Sequence, residues 1–400
     1  MYRFAKMTRR APLGVALALA TAFTLGACGA SKDGSAAAGA DQDIDIDKAY
    51  ADGVPSLAEL YKSTEVSPPS SGPKLAPGKT VAYVSCGQVA EGCSVPANEM
   101  KKVAKRVGWN FKLIDGALNV NNGWAAGVRQ AIAAKPDAIV VAMGCADIKQ
   151  PLLEAKAAGI PVVGMYSIDC ADPKNDGGPS KSLLTEIQYT GKAKTTGEFW
   201  REWGRLQAAY VINATKGKAK VLRSNYQPVQ GQYLKEGQDE VLAKCSGCKV
   251  VGEVNWSAAD SVAGGPLEQK FRTLLVQHPD ANTAMVNWDA IATAAGLSKA
   301  IKDAGRADSM VAVAGFGYAA ATQLIKENGG LTGDLGNDGK WAAWAAVDTL
   351  NRLFHKEPAV PQGIGFRLID LDHNLPSAGQ DYKSPIDYRS VYLKSWGVSE

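Results

Sequence analysis

Ala138-Ile-Val-Val-Ala142, a helical stretch from Ile148 to Ala158, and Pro161-Val-Val-Gly-Met165 make a strand–helix–strand unit, and its reading decides the fold. Both apolar runs are continuous and lack the alternation of a half-exposed strand. Each face therefore needs cover, as in a parallel sheet flanked by helices. The same period extends outward. Upstream, Thr80-Val-Ala-Tyr-Val84 is a strand followed by a helical stretch through Arg106; Asn110-Phe-Lys-Leu-Ile114 is the next strand and Trp124 to Ala134 the next helix. Downstream, strands at Ala219–Arg223, Val250–Val254, Thr283–Asn287 and Met310–Ala314 are separated by predicted helices at Gly231–Lys244, Gly265–His278 and Ala290–Asp303. The expected class is α/β, with two doubly wound parallel-sheet lobes whose ligand belongs at the carboxyl ends of the strands.

The chain begins with a different kind of segment. Arg3, Lys6, Arg9 and Arg10 precede an uncharged stretch from Ala11 to Ala27, too short and too rich in Ala and Gly to span a membrane. It ends in Leu25-Gly-Ala-Cys28, the pattern of a bacterial lipobox, in which the cysteine receives a diacylglyceryl thioether. Residues 1–27 are expected to be a signal peptide. Cys28 would be the lipidated first residue of the mature protein, holding it on the extracytoplasmic face of the cell membrane. Residues 28–78 are small and polar, including Ser67-Pro-Pro-Ser-Ser-Gly-Pro73, and read as a flexible tether with a short helix between Asp47 and Ser63.

Seven cysteines less the lipidated one leave an even number, which in an exported protein reads as disulfides. Sequence neighbours suggest Cys86–Cys93, Cys145–Cys170 and Cys245–Cys248, among several possible connectivities. Loop entropy alone would make Cys145–Cys170 worth about 3.5 kcal/mol in the chain-entropy model. Cys245-Ser-Gly-Cys248 has no second CxxC to complete a zinc site, and the three histidines are scattered. No cofactor or metal is expected. A formal charge of +4 with no block of like charge gives no footprint for nucleic acid.

Collinear landmarks then carry a resemblance. Ala134-Lys-Pro-Asp-Ala-Ile-Val-Val141, Ala155-Lys-Ala-Ala-Gly-Ile-Pro-Val-Val163, Gly217-Lys-Ala-Lys-Val-Leu222, Lys249-Val-Val-Gly-Glu253, Leu275-Val-Gln-His-Pro-Asp280 and Val313-Ala-Gly-Phe316 occur in family order. The chain resembles the periplasmic binding protein type I family, in its ribose/galactose-type branch. That resemblance implies two lobes joined by three crossovers, near Gln188–Thr190, Gly336–Asp338 and Pro361–Phe366. It places an N-terminal lobe at 79–188 plus 338–362, a C-terminal lobe at 189–337 plus 363–375, and a C-terminal tail at 376–400. It also implies a monomer that binds a small molecule, by family default a sugar, and hands it to the membrane permease of an ABC importer.

Position by position, the family's charged sugar contacts fall here on Tyr166, Leu234, Trp288 and Gly317, with Asn337 at the second crossover and Trp256 as the stacking aromatic. Sugar hydroxyls buried without partners cost about 1–3 kcal/mol each, so those contacts are hard to dispense with. A cleft of Tyr166, Trp256 and Trp288, with Gln88 and Asn337 as amides, is expected to take an aromatic or otherwise hydroxyl-poor ligand. Trp200, Trp203, Trp341 and Trp344, at i, i+3 spacing, are expected in the core or at a lobe interface.

Other classes find less support. Gly-x-Ser-x-Gly, Walker A, His-Glu-x-x-His and Gly-x-Gly-x-x-Gly are all missing from the sequence, so an enzyme is not expected. A repressor of this fold would begin with a helix-turn-helix where the lipobox stands. A sensory lipoprotein that signals ligand occupancy to a membrane receptor shares every feature named and stays open.

Overall fold

The computed structural model describes residues 44–175, 181–190 and 193–399. Cys28 and the leader lie outside the described residues.

After α1 (Leu57–Leu60), the first lobe runs β1 (Thr80–Ser85), α2 (Glu91–Arg106), β2 (Asn110–Asp115), α3 (Gly123–Ala133), β3 (Ala138–Val141), α4 (Cys145–Ala157), β4 (Val162–Gly164) and β5 (Thr185–Glu186). Its sheet has the order β2-β1-β3-β4-β5 and every pairing is parallel. The continuous runs are buried as their pattern demands: Val81, Ala82, Tyr83, Val84, Ile139 and Val140 are fully enclosed. Asp137, in the turn before β3, accepts from the backbone N–H of Thr80 at 2.7 Å and fixes the start of β1.

The second lobe runs α5 (Thr196–Ala214), β6 (Lys220–Tyr226), α6 (Val229–Leu242), β7 (Lys249–Trp256), α7 (Pro266–Gln277), β8 (Thr283–Met285), α8 (Asp289–Ala292), α9 (Leu297–Asp303), β9 (Val311–Phe316), α10 (Ala319–Lys326) and β10 (Gly333–Gly336). The chain then returns through α11 (Gly339–Phe354) to the first lobe, where it packs on α2, and comes back as β11 (Arg367–Asp370). The second sheet has the order β11-β10-β9-β8-β6-β7, with β11 alone antiparallel to its neighbour. Passages between the sheets occur at 187–195, 337–338 and 355–366, so both lobes are doubly wound and joined by three crossovers.

Two expected elements differ. The single helix expected over Ala290–Asp303 is broken into α8 and α9 at Gly296, whose φ of +81° favours glycine. Helices α5 and α6 cross at Gly204 and Gly237, where any side chain would collide with the facing backbone. This close crossing turns Leu234 toward α5 and away from the cleft.

Both chain ends also correct the sequence reading. The expected tether is packed down from Ile44 onward. Val54, Leu57, Leu60 and Ala76 are buried. Tyr50 N–H donates to Asn213 of α5 at 3.0 Å, Val66 N–H to Gly363 O at 2.9 Å, and Trp109 Nε1 to Ala76 O at 2.7 Å. Residues 44–78 thus form a strap from the second lobe, over the crossovers, to the first. The expected C-terminal tail carries α12 (Tyr388–Trp396). Its Tyr388, Tyr392 and Trp396 are almost fully buried, and Trp396 Nε1 donates to Asp348 Oδ1 on α11 at 2.9 Å. Spaced i, i+4, i+8, these aromatics form one helical stripe. Among the described residues no helix is long and apolar enough to cross a membrane.

Candidate functional site

The carboxyl ends of strands from both sheets open on a shared cavity of about 430 Å³, a size typical of small-molecule sites. The first lobe contributes the loop closed by Cys86 and Cys93, the turn Ala142–Gly144 after β3, and Met165 and Tyr166 after β4. The second contributes Tyr226 and Trp256 at the ends of β6 and β7, Trp288 after β8, and Phe316 at the end of β9. Cys86–Cys93, Cys145–Cys170 and Cys245–Cys248 are each at disulfide distance, with Cα separations of 5.5, 5.3 and 5.3 Å. The first pair sits in the cavity wall itself, with Cys93 at the start of α2.

Aromatic rings form most of one side. Tyr226, Trp256 and Trp288 form a triangle of rings, with centroid distances of 4.6 Å (Tyr226–Trp256), 5.2 Å (Tyr226–Trp288) and 5.5 Å (Trp256–Trp288). Trp288 meets Trp200 at 5.9 Å. Tyr166 stacks on Tyr189 at 4.9 Å and an interplanar angle of 8°. Three indole N–H groups around the cavity are engaged by the scaffold. Trp256 Nε1 donates to Asn287 Oδ1 at 3.2 Å, Trp200 Nε1 to Tyr166 O at 3.2 Å, and Trp124 Nε1 to Cys86 O at 2.8 Å. Gln207 of α5 caps the neighbouring strand ends by donating to Val286 O at 2.8 Å. The rings are thereby held before any ligand arrives.

Tyr166 and Phe316 both have positive φ, +56° and +116°. Backbone of this kind costs on the order of 1–3 kcal/mol and persists where surrounding contacts over-determine it. At Tyr166 those contacts are visible: the hydroxyl, kept protonated because burial raises its pKa, donates to Asn337 Oδ1 at 2.8 Å.

Of the expected site residues, Tyr166, Trp256 and Trp288 are brought together on the cavity wall. Gln88 and Asn337 are not. Gln88 turns its Nε2 onto Ser85 Oγ at 2.7 Å. Asn337 is fully buried and uses both ends of its amide, accepting from Tyr166 and donating from Nδ2 to Gly365 O at 2.8 Å. It positions Tyr166 from behind. Trp203 is core as expected, but Trp200 also faces the cavity. Leu234 packs in the α5–α6 interface, and the side chain of α6 that reaches the cavity is Gln230, one turn earlier. Its place in the first turn after a strand's carboxyl end was the available signal.

No charged side chain lines the cavity among the described residues, and none of them form a cluster suited to a metal ion. Carboxyl groups lie behind the wall instead. Asp289 and Asp334 are fully buried beside one another. Burial first, then the facing carboxylate, raises Asp289 well above the usual range, and burial pushes Asp334 up to about 7.

The profile of the periplasmic binding protein domain family matches residues 82–358. A search of curated proteins returns no match. Among solved structures, the chain is similar to the periplasmic binding component of the arabinose ABC transporter from Shewanella sp. ANA-3, bound to α- and β-L-arabinofuranose; identity is 19%, TM-score 0.59, covering 79% of this chain and 95% of that one. It is similar to a glucose-galactose binding protein from Geobacillus stearothermophilus, with 18% identity and a TM-score of 0.60 over 76% of this chain and 100% of that one. An ABC transporter solute binding protein from Agrobacterium vitis, bound with α-D-tagatopyranose, gives 18% identity and a TM-score of 0.62 over 74% and 95%. At such identities the likeness is one of fold.

Proposed function

Since the chain belongs to the periplasmic binding protein domain family, we propose that it is an extracytoplasmic solute-binding lipoprotein, anchored through Cys28, that delivers a hydroxyl-poor small molecule to an ABC importer. The observation that carries the ligand class is the cavity wall. It is built from aromatic and aliphatic side chains, with no charged group among the described residues. The polar side-chain groups with capacity left for a ligand include the Gln230 amide, the Tyr226 hydroxyl and the Trp288 N–H, while Ser261 Oγ, which donates to Ala258 O, can still accept. A pyranose placed there would leave most of its hydroxyls unpaired, at about 1–3 kcal/mol each. A flat apolar ligand would instead exchange water for ring faces, at roughly 25 cal/mol per Å² of apolar surface. The importer role rests on family membership and on the transporter roles named for the arabinose and tagatose binders. The anchor rests on Leu25-Gly-Ala-Cys28.

A thermal-shift and calorimetric panel tests the ligand class. Aromatic and alicyclic compounds are expected to raise the Tm by mass action, whereas L-arabinose, D-galactose and D-glucose are not. Tight binding of any of these sugars overturns the reading. For the anchor, Cys28→Ser is expected to leave the membrane fraction or accumulate as precursor; a variant processed and retained like wild type sinks it.

A further inference from the structure

Gln230 stands at the start of α6, in the second lobe, and is 7% exposed. It is the cavity-lining residue with a fully enclosed polar atom lacking a partner: Oε1 accepts no hydrogen bond. Its amide lies against the opposite lobe. A Cβ added at Gly144, in the turn between β3 and α4, would sit 3.3 Å from Nε2 and 3.4 Å from Oε1. The side chain therefore spans the cleft and brings the two lobes together at this point.

We infer that Gln230 reads a single amide-like edge, with a donor beside an acceptor, on an otherwise apolar and uncharged ring ligand. The inference rests on the hydroxyl-poor reading above and specifies its chemistry. A buried carboxamide needs both a donor for its oxygen and an acceptor for its nitrogen. Exchanging the two ends by rotating the amide leaves that demand unchanged, so the argument does not depend on which way it points. A carboxamide, lactam or cyclic imide supplies both partners side by side. An ether or ketone supplies one, and a hydrocarbon neither. An ionised ligand is disfavoured because, among the described residues, no charged side chain lines the wall to offset its desolvation. The Tyr226 hydroxyl and Trp288 N–H supply at most isolated contacts to the rest of the ring. The cavity holds about fourteen water-sized volumes at roughly 30 Å³ each, room for one or two fused rings.

Benzamide, acetophenone and cumene share size and branching but present donor plus acceptor, acceptor alone, and neither. Calorimetry on the full chain would compare them in wild type, Gln230→Met and Gly144→Ala. Gly144 has φ −67° and ψ 145°, which alanine adopts freely, so its added methyl acts by crowding the amide. Gln230→Met is expected to weaken benzamide about tenfold to a hundredfold, or about 1.4–2.8 kcal/mol, acetophenone by less, and cumene by under about twofold. Gly144→Ala should reproduce the ranking, and decides the matter if Gln230→Met fails to fold. Equal shifts for all three ligands would overturn the role of Gln230 while leaving the hydroxyl-poor reading in place. Binding of D-galactose with none of the three aromatics would overturn that reading and the inference with it. Wild type binding none of the four overturns both as well.

Discussion

The cavity wall and the hinge behind it have opposite chemistry. On the wall, Trp256, Trp288, Tyr226 and Tyr166 present ring faces, and one amide is left unpaired. At the hinge, polar groups are buried in number. Asp338 caps α11 by accepting from Lys340 N–H at 3.0 Å and also accepts from Ser384 N–H at 3.2 Å. Glu65 of the strap receives Tyr382 OH at 3.0 Å, and Asn337 ties Tyr166 to Gly365. The hydrogen-bonding residues expected at the ligand are thus engaged in holding the lobes and the rings. A motif position identifies a polar residue, but the partner it uses is a three-dimensional matter.

If the division is real, wall and hinge variants should separate affinity from stability. The largest effect is expected at the wall. Trp288→Ala removes roughly 2–3 kcal/mol of apolar burial against the ligand and about 0.5–1.5 kcal/mol of ring–ring interaction, a hundredfold or more in Kd. Titration calorimetry with the best aromatic ligand reads this directly. A loss below tenfold would place the ligand elsewhere in the cavity.

At the hinge, Asn337→Ala should act on stability. It leaves the Tyr166 hydroxyl and Gly365 O buried without partners, at about 1–3 kcal/mol each, so a loss of about 2–6 kcal/mol is expected from denaturant midpoints at constant m-value. Ligand affinity should fall by much less than in Trp288→Ala once measured on the folded fraction. Affinity lost in proportion to the tryptophan variant would erase the contrast.

How far the molecule was legible in sequence follows the same line. The runs at Val81–Val84 and Ile139–Val141 were legible because strands buried on both faces leave no alternative pattern. Tyr166, Trp256 and Trp288 were legible because strand ends are fixed by those runs. The strap was not, since Ser67-Pro-Pro-Ser reads locally as an open chain while Val66 N–H donates to the Gly363 carbonyl and the Ala76 carbonyl accepts from the Trp109 indole, both far away in sequence. Neither was Gln230, because the charged contact that the family resemblance implies falls on Leu234, one turn further along α6. Gly204 and Gly237 set the helix crossing that turns Leu234 inward.

A pH series sharpens the picture of the hinge. Asp334 is pushed up to about 7 by burial, against about 3.9 in an unfolded chain. The folded state therefore binds the extra proton. Its stabilising contribution is complete below about pH 4 and lost as pH rises through about 7. Asp289 shifts in the same direction, with Asp334 and Glu91 facing it. Asp334→Asn removes one titration and leaves a donor between the pair. Its Tm should decline less than that of wild type between pH 5 and 8. Parallel curves would mean that the pair does not titrate in this range.

The smallest effect is expected at Gln88, and it is informative because the sequence placed this amide at the ligand. Its Nε2 donates to Ser85 Oγ and its backbone N–H to Asp115 Oδ1 at 3.0 Å, so the side chain ties the first loop to the end of β1 and the backbone ties it to the end of β2. Truncation to alanine removes one neutral hydrogen bond at a partly exposed position, worth about 0.5–1.5 kcal/mol, and keeps the backbone contact. Gln88→Ala should therefore lower the Tm slightly and leave ligand affinity within about twofold of wild type, well inside the cost of losing a buried ligand contact. A tenfold loss of affinity would show that the Cys86–Cys93 loop turns this amide inward when the ligand binds, and the wall would then hold two reading amides, one from each lobe.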